Sequence, residues 1–381
     1  MDFRLSREQE MFRKSVEEFA RKEILPDVNE RAAKTGFSAE IWKKIADYGL
    51  TGLSIPEAYG GDGADATTTV TAMTALTRAS GDIGLSVVWG SHMLLTAMPI
   101  ADLGTKEQKE KYLPRMAKGE WIGGFALTES DAGSDATGLQ TTAENKGDFY
   151  LVNGSKTFIS NAPIADVFVV FASTDISNRA GGISLFIVEK DTPGLQIGKP
   201  LEKYGNHDSP TGELFFDNCR VPSKNLLGQE NGGFEAMLFS LGWERLAFAP
   251  YIGIMEFDLK MSIEYAKTRK QFGRPIGKFQ LVQAMLAEMK MDIEASRLLV
   301  YQLAWKKDKG EDISMDAAIA KTFITEAAYR VADKAVQIHG GNGCMVEYPV
   351  GRSLWGAKMG TIGGGTSQMQ RTIISRFLTG L

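Results

Sequence analysis

Cysteine and histidine are almost missing from this chain. Its 381 residues include two cysteines, Cys219 and Cys344, and three histidines, His92, His207 and His339. Two thiols this far apart cannot staple a small fold, and neither they nor the scattered imidazoles have metal-ligand spacing. A disulfide framework and a protein-built zinc or iron centre are thereby excluded. An excess of one charge is also missing: 43 basic against 47 acidic residues leave a net charge of −4. Without a basic field, nucleic acid is a poor partner. No apolar stretch approaches the ~20 residues that cross a bilayer, so no membrane partner is expected. Residues 1–8 mix both charge signs around no apolar core, unlike a secretory or transit leader. The expected compartment is the cytoplasm.

What is present is an ordinary globular composition, 43% hydrophobic and 24% charged, in a chain long enough for two or three domains. The first 122 residues read as helical. Ser6 with Gln9 and Thr105 with Gln108 form capping boxes, Ser38 caps a further helix that Gly49 stops, and Pro114 is expected to follow the Thr105 helix. Residues 123–229 hold short apolar or β-branched runs separated by turns, beginning at Phe149, Val167, Ile183 and Gly212, and predict a compact β domain. From 230 to 381 helical spacing returns, with Met237, Leu241 and Phe248 and then Met285, Met289 and Ile293. The expected fold class is α+β, mainly α.

Four segments have side chains suited to a flat, phosphate-bearing cofactor. Residues 125–135 read Phe-Ala-Leu-Thr-Glu-Ser-Asp-Ala-Gly-Ser-Asp, where small hydroxyls and backbone N–H groups can donate without bulk. Residues 154–161 read Gly-Ser-Lys-Thr-Phe-Ile-Ser-Asn, offering the Phe158 face for stacking and the Ser160 hydroxyl for a hydrogen bond. Residues 268–280 read Thr-Arg-Lys-Gln-Phe-Gly-Arg-Pro-Ile-Gly-Lys-Phe-Gln, and the Arg269 fork matches phosphate geometry. In the segment 337–343, Gln-Ile-His-Gly-Gly-Asn-Gly, Gly340 and Gly341 permit close backbone approach. Singly, each is explained equally well by a polar turn, a core aromatic, a charged helix end or a glycine turn.

Together, in this order and across essentially the whole chain, they resemble the acyl-CoA dehydrogenase family of flavoproteins. The resemblance implies an N-terminal helical domain over 1–122, a middle β-barrel-like domain over 123–229 and a C-terminal four-helix bundle over 230–381. It implies FAD, held between β domain and bundle without a Rossmann or Walker loop. Phe125, Leu127, Thr128, Gly133, Ser134, Phe158 and Ser160 would contact the flavin side. Arg269, Phe272, Gln280, Gln337, Gly340 and Gly341 would reach the pyrophosphate and adenosine side from a neighbouring subunit, and Thr366 and Gln368 would join them. A homotetramer built as a dimer of dimers and electron-transfer flavoprotein as acceptor are further implications. The chain departs from the family pattern at Ser130-Asp131, Phe158, Ser160, His207 and Gly242, the last replacing an aspartate that contacts the CoA arm in many relatives.

Family members remove an α-proton from an acyl thioester while the β-hydrogen leaves as hydride, which needs a carboxylate base. Many place it in a C-terminal loop, but residues 361–368 here read Thr-Ile-Gly-Gly-Gly-Thr-Ser-Gln. A smaller group, typified by isovaleryl-CoA and long-chain enzymes, carries a helix-borne Glu-Arg instead, as in Leu241-Gly-Trp-Glu-Arg245. Glu244 is therefore the expected base, on an apolar stripe with Leu241 and Phe248. A backbone N–H near Gly364 would steady the developing enolate. Ser134, Phe234, Met237, Leu241 and Arg245 would line the acyl-CoA site. The loop glycines are expected to open space beside the acyl chain, favouring short or branched groups. Enoyl reduction, oxidation by O₂ and dehydrogenation of a carrier-protein thioester stand as alternatives on the same scaffold. A non-catalytic acyl-binding role runs against the retained Glu244 and the cofactor segments.

Overall fold

The computed structural model describes residues 5–33 and 36–380, without the side chains of 32, 33 and 238–241. Seven helices come first: α1 (Arg7–Glu23), α2 (Val28–Ala33), α3 (Ala39–Asp47), α4 (Ala66–Ser80), α5 (Ile83–His92), α6 (Met98–Leu103) and α7 (Lys106–Ala117). Both capping boxes form. Ser6 Oγ accepts the Gln9 N–H at 3.1 Å while Gln9 Oε1 accepts the Ser6 N–H at 3.0 Å, and Thr105 with Gln108 repeats the arrangement. Gly49 takes the left-handed φ of 92° after α3. Pro114 does not end its helix: α7 runs on to Ala117. Leu113, Met116 and Ala117 are buried there, and this packing outweighs the lost amide hydrogen bond.

A wide turn over Met93–Ala97 joins α5 and α6, and Thr96 Oγ donates to the Ser91 carbonyl at 2.9 Å inside it. The joined helix, Ile83–Leu103, has 21 residues and a mean hydropathy of 1.4, against the expectation of no long apolar stretch; 89% of its window is buried inside the protein. It is a core helix.

The β domain contains β1 (Gly123–Ala126), β2 (Thr142–Asn145), β3 (Phe149–Ser160), β4 (Val167–Ser173), β5 (Ile183–Glu189), β6 (Leu195–Ile197), β7 (Thr211–Pro222) and β8 (Leu226–Leu227). The sheet order is β6-β7-β3-β2-β4-β5-β8, with β1 parallel to β4. Every residue of β4 is buried, because its two faces serve two cores. Phe168 and Val170 point into the core of the β domain, while Val167, Val169 and Phe171 join the helical core. This shared strand fastens the helices to the sheet.

The remaining helices are α8 (Gly233–Leu246), α9 (Pro250–Thr268), α10 (Gln280–Asp308), α11 (Ser314–His339), α12 (Val350–Gly360) and α13 (Ser367–Thr379). A two-stranded ribbon, β9 (Lys270–Gln271) with β10 (Arg274–Pro275), links α9 to α10. Helix α11 packs on α8, α9, α10, α12 and α13, so it is the central rod of this half.

Candidate active site

Glu244 lies on the last turn of α8 with its side chain 15% exposed. Its neighbour Arg245 is buried, with Nη1 3.2 Å from Glu244 Oε2 and donating to the Gly364 carbonyl at 2.9 Å. The structure thus brings together Glu244, Arg245 and Gly364, which sequence spacing alone could not join. The turn carrying Gly364 needs its glycines: φ is 63° at Gly364 and 81° at Gly365. A Cβ at Gly364 would stand 2.8 Å from Glu244 Oε1 and 2.8 Å from Phe248 Cζ. At Gly364 the expectation that the loop glycines open space beside the acyl chain is therefore corrected, since the Glu244 carboxylate and the Phe248 ring fill that space. Arg245 Nη1 is engaged by protein groups on both sides.

Two residues under the turn carried no motif in the sequence. Gln370 Nε2 donates to the carbonyls of Gly364 at 3.1 Å and Gly365 at 3.3 Å. Lys321 Nζ donates to the Gly365 carbonyl at 2.6 Å. Burial, helped by nearby Arg245, pulls the Lys321 amine down to about 8, with Glu244 and Glu326 opposing. The one available signal was a lone lysine among Ala317, Ala318, Ala320 and Ile324 on the buried face of α11. Of the expected acyl-site residues, Phe234 and Met237 are half-buried on α8, and the Leu241 side chain lies outside the described residues. Trp243 Nε1 donates to Asp102 Oδ2 at 3.2 Å and Lys307 Nζ sits 4.2 Å from its ring centre, so this side chain ties α8 to α6 and α10.

A second cluster sits in the β domain. Lys156, fully buried on β3, contacts Glu129 Oε1 at 2.7 Å and the Leu127 carbonyl at 3.0 Å. The same carboxylate accepts the N–H groups of Gln140 at 2.5 Å and Thr141 at 3.0 Å. Burial, the largest single influence, raises the Glu129 carboxyl, but the Lys156 charge and the hydrogen bonds from Lys156, Thr141 and Gln140 together outweigh it and the net shift is downward; burial brings the Lys156 amine to about 8. The pair closes the 127–141 loop, which presents Thr128, Gly133 and Ser134. Phe125 on β1 packs edge-on against Phe171, with ring centres 5.0 Å apart. Leu127 and Thr128 are half-buried and Ser134 is exposed.

Whether these residues suit a planar cofactor is tested by the aromatic rings. Phe158 is 68% exposed at φ 57° and Phe272 92% exposed at φ 50°. A bulky side chain in the left-handed region is strained and an exposed ring is poorly solvated, so both sites gain when a flat group covers them. The β-bulge between Lys156 and Ile159 turns the Phe158 ring outward, beside half-buried Ser160. Built Cβ atoms at Gly133, Gly340 and Gly341 meet nothing within 4 Å, leaving backbone open to approach. Arg269, Gln280 and Gln337 are exposed, the first two flanking the β9–β10 ribbon, while Thr366 caps α13 ahead of exposed Gln368. Stacking rings, small hydroxyls, open glycines and an exposed guanidinium fit a ring system joined to a pyrophosphate.

Helices, sheet and bundle converging on a half-buried carboxylate beside a glycine turn define a three-part dehydrogenase scaffold. The chain belongs to the acyl-CoA dehydrogenase family: the family's N-terminal, middle and C-terminal domain models match residues 6–120, 124–219 and 231–379. An acyl-CoA dehydrogenase of Bacillus subtilis is 44% identical over 377 residues, covering 99% of each chain. L-prolyl-[peptidyl-carrier protein] dehydrogenase of Pseudomonas fluorescens is 42% identical over 344 residues, covering 90% of each. Butyryl-CoA dehydrogenase from Megasphaera elsdenii superposes with a TM-score of 0.95 at 42% identity, over 99% of this chain and 100% of that one.

Proposed function

We propose that this protein is an FAD-dependent dehydrogenase that introduces an α,β double bond into an acyl thioester, with Glu244 as the base. The observation that carries the reading is the position of Glu244 Oε1, 2.8 Å from where a Gly364 side chain would begin. The helix-borne carboxylate and a loop-borne one would thus serve the same point. Glu244 takes the α-proton, Arg245 holds the base and the Gly364 carbonyl in fixed relation, and the turn's N–H groups face the thioester carbonyl. Bound FAD supplies the acceptor for the β-hydride at flavin N5. Phe125, Leu127, Thr128, Gly133, Ser134, Phe158 and Ser160 would hold its flavin half, and Thr366 and Gln368 are further cofactor contacts. Arg269, Phe272, Gln280, Gln337, Gly340 and Gly341 would hold the pyrophosphate and adenosine half of a neighbouring subunit's cofactor.

A short or branched acyl group is the favoured substrate, supported by Phe248 and Glu244 crowding the turn. Phe234, Met237, Leu241, Ser134 and Arg245 are assigned to the substrate side. Carrier-protein thioesters are the second reading, favoured by Gly242 in place of the aspartate and by the prolyl-carrier relative. Electron-transfer flavoprotein is the proposed acceptor, and domain boundaries are placed at 122/123 and 229/230. The test is anaerobic titration of the purified flavoprotein with a panel of acyl-CoA and acyl-carrier thioesters. Bleaching of the oxidised flavin band by one of them supports dehydrogenation and names the acyl class. A protein that takes up no FAD overturns the reading.

A further inference from the structure

A lysine without exposed surface lies beneath the Gly364–Thr366 turn. Lys321 projects from α11 among small and apolar side chains, Ala317, Ala318, Ala320 and Ile324. Among the described residues its amine makes one hydrogen bond, 2.6 Å to the Gly365 carbonyl, and stands 5.3 Å from the centre of the Phe248 ring. Arg245 and Glu244 face it from α8. Glu326, on its own helix, is turned to Arg371 of α13 at 2.7 and 2.8 Å. An ammonium group in such a place is expensive to desolvate, and a core-filling role would be met more cheaply by methionine. Its retention calls for work done at Gly365.

Peptide geometry shows what that work is. In a trans peptide the C=O and the following N–H point in opposite directions. Arg245 and Gln370 draw the Gly364 carbonyl into the bundle, and Lys321 with Gln370 draws in the Gly365 carbonyl. The N–H groups of Gly365 and Thr366 are therefore turned outward, and with that of Gly364 they have no acceptor among the described residues. We propose that Lys321 is a positioning residue for α-proton abstraction: it anchors the Gly365 carbonyl so that the N–H edge of the Gly364–Thr366 turn faces the thioester carbonyl. The inference rests on the dehydrogenase reading given above. A neutral amine still donates, so the anchor persists when Lys321 loses its proton near pH 8.

The test uses the FAD-loaded enzyme and a 3-thiaacyl-CoA, a thioester whose α-carbon is acidified but whose β-position carries no hydrogen to transfer. Its α-deprotonation is followed by long-wavelength absorbance beside oxidised flavin as pH is raised. Lys321→Met and Lys321→Gln are each expected to make the bound α-carbon about tenfold less acidic or worse, since a misaimed N–H donor loses enolate stabilisation. With a turnover substrate the loss is expected in kcat while KM stays near wild type, and Lys321→Arg should recover part of it. Should Lys321→Met fail to fold or to hold flavin, Lys321→Gln carries the same expectation with a shorter polar head. Variants with full flavin that deprotonate the probe at the wild-type pH overturn the role of Lys321. A wild-type enzyme that deprotonates no such probe overturns the proton-abstraction reading itself, and the inference with it.

Discussion

At the scale of single residues, Glu244 and Asp258 are two acids with opposite tasks. Glu244 is partly open and faces the turn. Replacing it by glutamine keeps the shape and removes the base, so turnover is expected to fall by about 10²–10⁴-fold, with flavin content unchanged; stopped-flow reduction by the best thioester measures it. Asp258 is sealed on α9, where Ser353 Oγ donates to its Oδ1 at 2.9 Å. Burial pushes its carboxyl up to about 8, so the folded protein holds a proton there that the unfolded chain releases near its ordinary value. This group's contribution to stability is full below about pH 4 and is lost as pH rises toward 8. Asp258→Asn should remove that decline. Melting temperatures measured from pH 5 to 8 are expected to fall more steeply for the wild type than for the variant, once other titrations common to both are subtracted.

At the scale of elements, the 127–141 loop is held by the buried Lys156–Glu129 pair, and the C-terminal turn by two buried cations, Arg245 and Lys321, with Gln370. Lys156 closes the 127–141 loop through Glu129, and Lys156→Met would leave that carboxylate buried without its partner. A destabilisation of ~3–5 kcal/mol is expected from breaking such a pair, read in urea unfolding, together with weaker FAD retention because Thr128 and Ser134 lose their frame. The legibility of these elements in sequence follows the same physics. The runs starting at Val167 and Ile183 announce β4 and β5 because strands packed on both faces are continuously apolar, and those starting at Phe149 and Gly212 announce β3 and β7 by alternation, with one face buried and the other open. Short β1, β2, β6 and β8 carry too few residues for a period to show. Pro114 misleads because tertiary burial overrides a local helix breaker, and Ile83–Leu103 because polar Ser91, His92 and Thr96 hide a continuous core helix. Glu244 is proposed from its local motif, and the structure sets it beside Gly364; Lys321 reaches that turn from 44 residues away and leaves no local pattern, and Gln370, close by in sequence, is a lone amide with no motif of its own.

At the scale of the whole molecule, the long helix α10 displays Leu281, Met291, Leu298 and Trp305, and α13 displays Phe377 and Leu378, all exposed and Leu281, Met291 and Leu378 most of all. Apolar surface of that kind calls for a partner, and another subunit of the same chain is proposed to cover it. Placing glutamate at both Leu281 and Met291 is expected to lower the sedimenting mass and to cost flavin as well, since Arg269 and Phe272 border the same end of α10. Full flavin retention in a dissociated variant would show that each subunit binds its cofactor alone.

The contact between Gly364 and Glu244 also limits how such an enzyme can change. The family resemblance implies two addresses for the carboxylate, and a side chain at 364 would enter the volume that Glu244 and the Phe248 ring fill. A side chain cannot be added at 364 while Glu244 and the Phe248 ring fill that volume, and deleting Glu244 first removes the proposed base. Moving the base from helix to loop therefore passes through a crowded or an idle intermediate whichever substitution comes first. The two arrangements are separated by a valley that single replacements do not cross, and a lineage that adopts one of them tends to keep it.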